Sequence, residues 1–137
     1  MFKKLDHVEI NTDQPERAIA FYTEVIGFRV RSRNRVEGPV PGSYISIVYL
    51  ELGGTGVELL SYEGMPLVPA GAGEHPGYRG MALEVDDMDV AIEYLKSKGV
   101  AVVWGPMVKE HQYARAEILD PHGYHIELRQ WFNPETT

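Results

Sequence analysis

The chain contains no cysteine among its 137 residues. Disulfide bonds, thiolate metal sites and cysteine nucleophiles are therefore excluded, which leaves histidine and the carboxylates as the strong metal ligands. No apolar run approaches the roughly 18 residues that a membrane span needs. The opening MFKKLDHVEI also has no apolar core typical of a secretory signal. We therefore expect a cytoplasmic protein that makes no membrane contact.

Positive charge is also scarce. Lysine and arginine number 13 against 20 aspartates and glutamates, so the formal net charge is -7. An acidic chain disfavours nucleic acid and anionic lipid as partners, because both attract basic surfaces. With 44% hydrophobic residues, the chain is long enough to bury one core and too short for two conventional domains. We expect a single domain over residues 1–137.

The main organising feature of the chain is an internal repeat. The stretch LDHVEINTDQPERAIAFY covers residues 5–22, and YRGMALEVDDMDVAIEYL covers residues 78–95. An offset of 73 lays Ala91 on Ala18 and keeps the apolar spacing in register. Each copy begins with an alternating pattern typical of a strand and continues with apolar residues at helical spacing.

Helix boundaries are marked in both copies. Asp13 and Asp86 stand where N-terminal capping residues are expected, each followed by an acidic residue three positions later. Gly27 and Gly99 follow the last apolar positions, as left-handed caps require.

Three runs rich in β-branched and aromatic residues follow each predicted helix. Each copy is therefore predicted to be a βαβββ module, the first over about residues 1–62 and the second over about residues 78–131. Residues 63–77 are rich in glycine and proline and form the predicted linker. We predict an α+β fold in which two tandem modules form a cupped mixed sheet.

Polar residues occupy equivalent strand positions in both modules. Because side chains alternate along a strand, His7 shares a face with Glu9. By the same rule, Glu127 shares a face with His125 in the last strand. Glu58 lies at the matching position of the fourth strand, with an offset of 69 to Glu127. Each module therefore presents one carboxylate at the same place.

With these motifs in place, the chain resembles the vicinal oxygen chelate superfamily, which includes glyoxalase I, methylmalonyl-CoA epimerase, extradiol dioxygenases and the bleomycin resistance proteins. The motifs that carry the resemblance are LDHVEINTDQPERAIAFYTEVIGF, GVELL, ALEVDDMDVAIEYLKSKGV and DPHGYHIEL. In this superfamily a divalent metal is usually held inside the cup by first-strand and fourth-strand residues of both modules. Carried onto this chain, those positions are His7, Glu58, Gly80 and Glu127.

Gly80 departs from the family pattern, because it has no side chain to bind a metal. The resemblance therefore implies His7, Glu58 and Glu127 as ligands, with His125 and Glu9 as auxiliary candidates. The metal identity stays open among Zn, Ni, Co, Mn and Fe. Dioxygenase chemistry is disfavoured, because its Fe(II) site uses two histidines and one carboxylate.

Metal-dependent proton transfer next to a carbonyl is the activity that the resemblance favours. Glu58 and Glu127 are the candidate catalytic bases of a glyoxalase-like lyase or isomerase acting on a small molecule. The substrate is not specified by any motif. The resemblance also implies a homodimer.

A non-catalytic binding protein similar to the bleomycin resistance proteins is the alternative. In that case the cup holds a small molecule without a metal, between aromatic walls. The aromatic candidates are Tyr44, Tyr49, Tyr62, Trp104, Tyr113 and Trp131. Metal content and ligand binding separate the two classes.

Overall fold

A computed structural model describes residues 1–132. The chain divides into two compact units, Met1–Ala72 and Gly73–Thr137, and the boundary falls inside the predicted linker. The elements of the first unit are β1 (His7–Asn11), α1 (Pro15–Ala20), a π-helical segment (Phe21–Ile26), β2 (Arg29–Glu37), β3 (Tyr44–Leu52) and β4 (Thr55–Glu63). Those of the second are β5 (Gly80–Glu84), α2 (Met88–Ser97), β6 (Val102–Lys109), β7 (Tyr113–Leu119) and β8 (His125–Trp131).

Each unit contains one mixed four-stranded sheet. The strand orders are β1-β4-β3-β2 in the first unit and β5-β8-β7-β6 in the second. In both, the first strand runs parallel to the last, and the remaining pairs are antiparallel. The predicted α+β class and the two tandem βαβββ modules are confirmed.

The helix of the first unit starts differently from the prediction. Its N-cap is Gln14, whose side chain makes no capping hydrogen bond, so the predicted cap at Asp13 was wrong. Pro15 opens the first turn, where a missing N–H costs nothing. The α-helix continues as a π-helical segment and ends at Gly27, whose φ of 108° is the expected left-handed cap.

The helix of the second unit has a capping side chain one residue later than predicted. Asp87, not Asp86, accepts a hydrogen bond from the Val90 N–H at 3.0 Å. The helix ends at Ser97, with Lys98 as its C-cap, and Gly99 follows with a φ of 77°. No helix within residues 1–132 combines the length and apolar character needed to cross a bilayer.

Each sheet has one buried face and one partly open face, and successive residues of a strand alternate between them. In the first unit the buried strand residues are Ile10, Val48, Leu50, Val57, Leu59 and Leu60. In the second unit they are Ala114, Ala116, Ile118, Ile126 and Leu128. With the exception of Leu60, these residues alternate with the polar positions, as the pleat of a strand requires. The candidate site residues therefore lie on the face opposite the main apolar layer.

The two outer antiparallel strands are edges of their sheets. β2 carries arginine at every second position, Arg29, Arg31, Arg33 and Arg35, and is exposed over most of its length. β6 carries Pro106, which has no N–H to offer a further strand.

A histidine and a glycine face each other across the parallel strands of both units. His7 is registered with Gly56, whereas Gly80 is registered with His125. A Cβ atom added to Gly80 would overlap the carbonyl oxygen of His125 and lie 3.0 Å from its Cβ atom. Gly80 is therefore required by the close approach of β8.

Replacing Gly80 by alanine is expected to destabilise the protein by about 1–3 kcal/mol, because the added methyl group must displace backbone. Gly71→Ala is the control, since a Cβ atom there meets nothing within 4 Å. Urea unfolding of both variants measures the difference. Equal stability of Gly80→Ala and the wild type would contradict the close approach.

Candidate metal centre

Three potential metal ligands meet on the first sheet. His7, Glu9 and Glu58 each offer one atom, and these atoms all lie within 4.8 Å of one another. Adjacent parallel strands bring them together, because Glu9 is registered with Glu58. The Nε2 atom of His7 is 3.5 Å from Oε2 of Glu58 and 3.6 Å from Oε1 of Glu9. The side chain of Glu58 is 18% exposed and that of Glu9 is 59% exposed.

The preceding residue orients the His7 ring. Nδ1 of His7 lies 2.8 Å from Oδ2 of Asp6. An ionised carboxylate only accepts hydrogen bonds, so Nδ1 must donate, and in the neutral ring Nε2 presents its lone pair to the two glutamates. This hydrogen bond raises the pKa of His7, with Glu58 and Glu9 adding to the effect and burial opposing it. A carboxylate behind the ring is the usual partner of a metal-bound histidine.

Tyr49 closes one side of the group. Its ring meets the His7 ring edge-on at 5.7 Å between centroids, and its hydroxyl lies 3.5 Å from Asp6. The hydroxyl occupies the space above Gly56, where a Cβ atom would overlap it. Partial burial, followed by the charge of Asp6, raises the pKa of Tyr49, so the hydroxyl keeps its proton.

The donor set of this group fits a divalent ion. The ligand atoms of a tetrahedral ion with bonds of 2.0–2.1 Å lie about 3.3–3.4 Å apart, close to the separations between His7 and the two carboxylates. A lone pair facing two carboxylates is repulsive unless a cation or a proton lies between them. One nitrogen and two oxygen donors suit Zn, Mn, Fe, Co or Ni and leave further coordination positions open.

Glu127, the counterpart of Glu58 in the second unit, is surrounded by arginine. Its Oε1 lies 3.2 Å from Nη2 of Arg115, and its Oε2 lies 2.9 Å from Nη2 of Arg129. Both carboxylate oxygens are therefore engaged with guanidinium groups. Glu58 has no such arginine within 4.0 Å in the described part of the chain.

Sequence reasoning missed Glu117, which lies beside Glu127 across β7 and β8. Its side chain is only 7% exposed, and Arg79 binds both of its oxygens at 2.9 and 3.3 Å. Nδ1 of His125 lies 3.6 Å away. These contacts, led by the Arg79 hydrogen bond, lower the pKa of Glu117. The alternation in YARAEIL was the available signal, because it places Arg115 and Glu117 on the face of Glu127.

The structure brings together His7 and Glu58 of the predicted ligand set, with the auxiliary candidate Glu9. Glu127 and the auxiliary candidate His125 lie in the second unit, where the described residues form no comparable group of three ligand atoms. A ligand or base role for Glu127 stays a prediction.

A cleft in the first unit does not contain this group. It is lined by residues that include Ile19, Val48 and Met65 and lies on the sheet face that carries Val48. His7 and Glu58 belong to the opposite face, so the metal group is a separate feature.

Comparison with known proteins agrees with this architecture. Residues 4–128 match the model of the Glyoxalase/Bleomycin resistance protein/Dioxygenase superfamily. The chain is 32% identical to the mitochondrial methylmalonyl-CoA epimerase of Bos taurus over 103 residues, covering 73% of this chain and 57% of the epimerase. The human enzyme gives 32% over 100 residues, covering 71% and 54%. The chain thus spans little more than half the length of these curated relatives.

Solved structures give the same fold. A glyoxalase family protein from Bacillus cereus superposes with a TM-score of 0.82 at 23% identity, covering 97% of both chains. An antibiotic binding protein from Streptomyces superposes with a TM-score of 0.67 at 26% identity, covering 96% of this chain and 98% of that one.

Glu117→Gln is expected to destabilise the protein at neutral pH and to lose this effect in acid. A carboxyl group whose pKa falls below the ordinary value of 4.5 on folding stabilises the fold above that value, and this contribution disappears as the pH falls through the folded pKa. Urea unfolding from pH 7 to pH 3 checks this, with the exposed Glu93→Gln as control. A difference between wild type and Glu117→Gln that does not change with pH would contradict the ion pairing.

Proposed function

The chain belongs to the glyoxalase, bleomycin resistance protein and dioxygenase superfamily, and we propose that it is a metal-dependent lyase or isomerase that transfers a proton next to a carbonyl group of a small molecule. The observation that carries the proposal is the His7 ring, which Asp6 orients so that Nε2 faces Glu9 and Glu58. Exposed acidic residues are common on protein surfaces, but a histidine held from behind by a carboxylate is typical of metal ligation.

His7, Glu58 and Glu9 would hold the ion. A divalent ion at this place supplies Lewis acidity, which polarises a carbonyl oxygen and makes the neighbouring C–H bond more acidic. Asp6 keeps the His7 ring in the tautomer that leaves Nε2 free to bind. The Tyr49 hydroxyl, which keeps its proton, is a hydrogen-bond donor at the edge of the same group.

Glu58 is our first candidate for the base that takes the substrate proton. Its side chain is 18% exposed, and no guanidinium lies within 4.0 Å of it in the described residues. Glu127 is the second candidate, and each of its oxygens already contacts an arginine, Arg115 or Arg129. The proton removed by a carboxylate returns to the same carbon in an epimerisation or to a neighbouring carbon in an isomerisation.

The epimerase relatives support the isomerase branch of this proposal. Their names describe a reaction that inverts a carbon next to a thioester carbonyl, which needs the same proton transfer. Since the aligned region is 57% of the bovine enzyme and 54% of the human one, the thioester substrate itself is part of the proposal.

A binding protein without catalysis is the second candidate function, and two observations favour it. Gly80 has no ligand atom, and the carbonyl of His125 fills the space of a side chain there. The antibiotic binding protein from Streptomyces has the same fold. A binding protein of this kind would not need a metal at His7, Glu9 and Glu58, so metal binding distinguishes the two candidate functions.

Glu58→Gln is expected to weaken Zn(II) or Mn(II) binding by at least about tenfold, because the variant loses a charged ligand. Glu63→Gln is the matched control, since Glu63 lies on the same strand and binds Arg35 at 2.7 Å, outside the ligand group. Calorimetric titration of chelator-treated protein gives the affinities. Equal affinity of Glu58→Gln and wild type, or no stoichiometric metal in either, would favour the binding protein.

Proton transfer is tested by deuterium exchange in D2O. Metal-loaded protein is incubated with an α-substituted acyl thioester and with an α-hydroxycarbonyl hemithioacetal, and NMR follows the α-proton signal. We expect exchange in the wild type and a rate lower by about 100-fold or more in Glu58→Gln. Binding of these compounds without exchange, with or without metal, would remove the enzyme proposal.

The homodimer implied by the family resemblance also stays a prediction. Light scattering over a range of concentrations measures it, with twice the 15.4 kDa chain mass as the expected result. A monomer mass at every concentration would contradict it.

A further inference from the structure

Two arginines face each other directly on the open side of the second sheet. Arg115 of β7 is registered with Arg129 of β8. The matching cross-strand pair of the first sheet is Ile47 with Leu60. An aliphatic pair in one module is thus a pair of like charges in the other.

This arrangement is unfavourable by itself. Like charges directly opposite on neighbouring strands destabilise a sheet, and partial burial strengthens the repulsion. The side chain of Arg115 is 29% exposed and that of Arg129 is 19% exposed. Each guanidinium therefore needs an anion within reach.

The carboxylates of the described chain meet this need for charge but leave one hydrogen-bond donor without an acceptor. Glu127 bridges both arginines, and Glu117 is shared between Arg115 and Arg79. Arg79 also lies 3.7 Å from Glu74, so three guanidinium groups face three carboxylates in this cluster. Nε of Arg115 is buried and has no acceptor. The cluster therefore has an excess of hydrogen-bonding capacity at Arg115.

Aromatic rings hold both guanidinium groups. The Arg129 guanidinium lies 4.1 Å from the ring centroid of Tyr113 and 4.7 Å from that of Trp131. Arg115 lies 4.7 Å from the Trp104 ring centroid. Stacking on a ring occupies a guanidinium face and leaves the N–H groups at its edge for hydrogen bonds.

We propose that Arg115 and Arg129 form a binding site for an oxyanion, a carboxylate or a phosphate group carried by a small molecule. Paired guanidinium groups bind such groups with two parallel hydrogen bonds. The bound anion would supply hydrogen-bond acceptors beyond those of Glu127 and Glu117 to two opposed cations. The proposal does not depend on metal binding by the first unit.

Thermal melts test this site with inorganic phosphate and with malonate as probes, each against sodium chloride at equal ionic strength. The wild type is expected to melt several degrees higher with at least one probe than in chloride, since a ligand that binds only the native state stabilises it. Arg115→Met and Arg129→Met are expected to lose at least tenfold in apparent affinity. Arg33→Met is the matched control, because Arg33 is an exposed arginine on an edge strand of the other sheet.

A response to phosphate alone identifies a phosphate site, and a response to malonate alone identifies a carboxylate site. A wild-type response no larger than in chloride, or an equal response in Arg129→Met, would overturn the proposal. If both methionine variants fail to fold, wild-type NMR decides it through the indole N–H signals of Trp104 and Trp131, which must shift and saturate with the probe. Glu58→Gln should keep the full anion response, so that failure of the metal proposal is distinguished from failure of this one.

Discussion

Parallel pairing of the first and last strands of each unit is the constraint on which both polar clusters depend. At one register position a histidine on one strand faces a glycine on the other; a Cβ atom at Gly80 would meet the backbone of His125, and one at Gly56 would meet the Tyr49 hydroxyl. In the first unit the histidine is His7 on β1, beside Asp6. In the second it is His125 on β8, and Gly80 takes the place on β5. The same spatial rule is therefore satisfied twice with opposite assignments.

The charged residues near the two histidines differ between the two sheets. Around His7 the charged groups within 4.0 Å in the described chain are Asp6, Glu9 and Glu58, and all three are acidic. Around His125 the sheet has its own cations, which take up both oxygens of Glu127. Equivalent carboxylates thus have different surroundings. The two modules share the same strand register, while the neighbours of this carboxylate differ.

The architecture was predictable because it follows from short-range patterns. Strand alternation, helical spacing and the two terminal glycines define both modules, and alternation alone places His7 and Glu9 on one face. The capping residues were misplaced because several polar residues precede each helix, and backbone geometry selects among them. The role of Glu117 was not predictable, because it depends on which strand lies beside β8 and on where Arg79 enters the unit.

The proximity of Glu9 to Glu58 was only partly predictable from the sequence. Both were candidates from the sequence, but their separation depends on the parallel register of β1 with β4, which no local pattern specifies. The Asp6 contact was missed for another reason. The predicted strand begins at Leu5, so alternation places Asp6 on the face opposite His7, whereas the observed β1 begins at His7 and leaves Asp6 outside the strand, where it contacts the ring.

The arginine-rich edge strand has a consequence for how copies of the protein behave at high concentration. An exposed edge with unpaired N–H and C=O groups can recruit an identical strand and begin aggregation. If β2 met its own copy, arginine-rich strands would be brought together, and their mutual repulsion would oppose the pairing. In the second sheet, Pro106 interrupts the row of N–H groups along the corresponding edge strand, β6. The edge strands β2 and β6 therefore oppose pairing with another copy by different means, one by charge and the other by a missing donor.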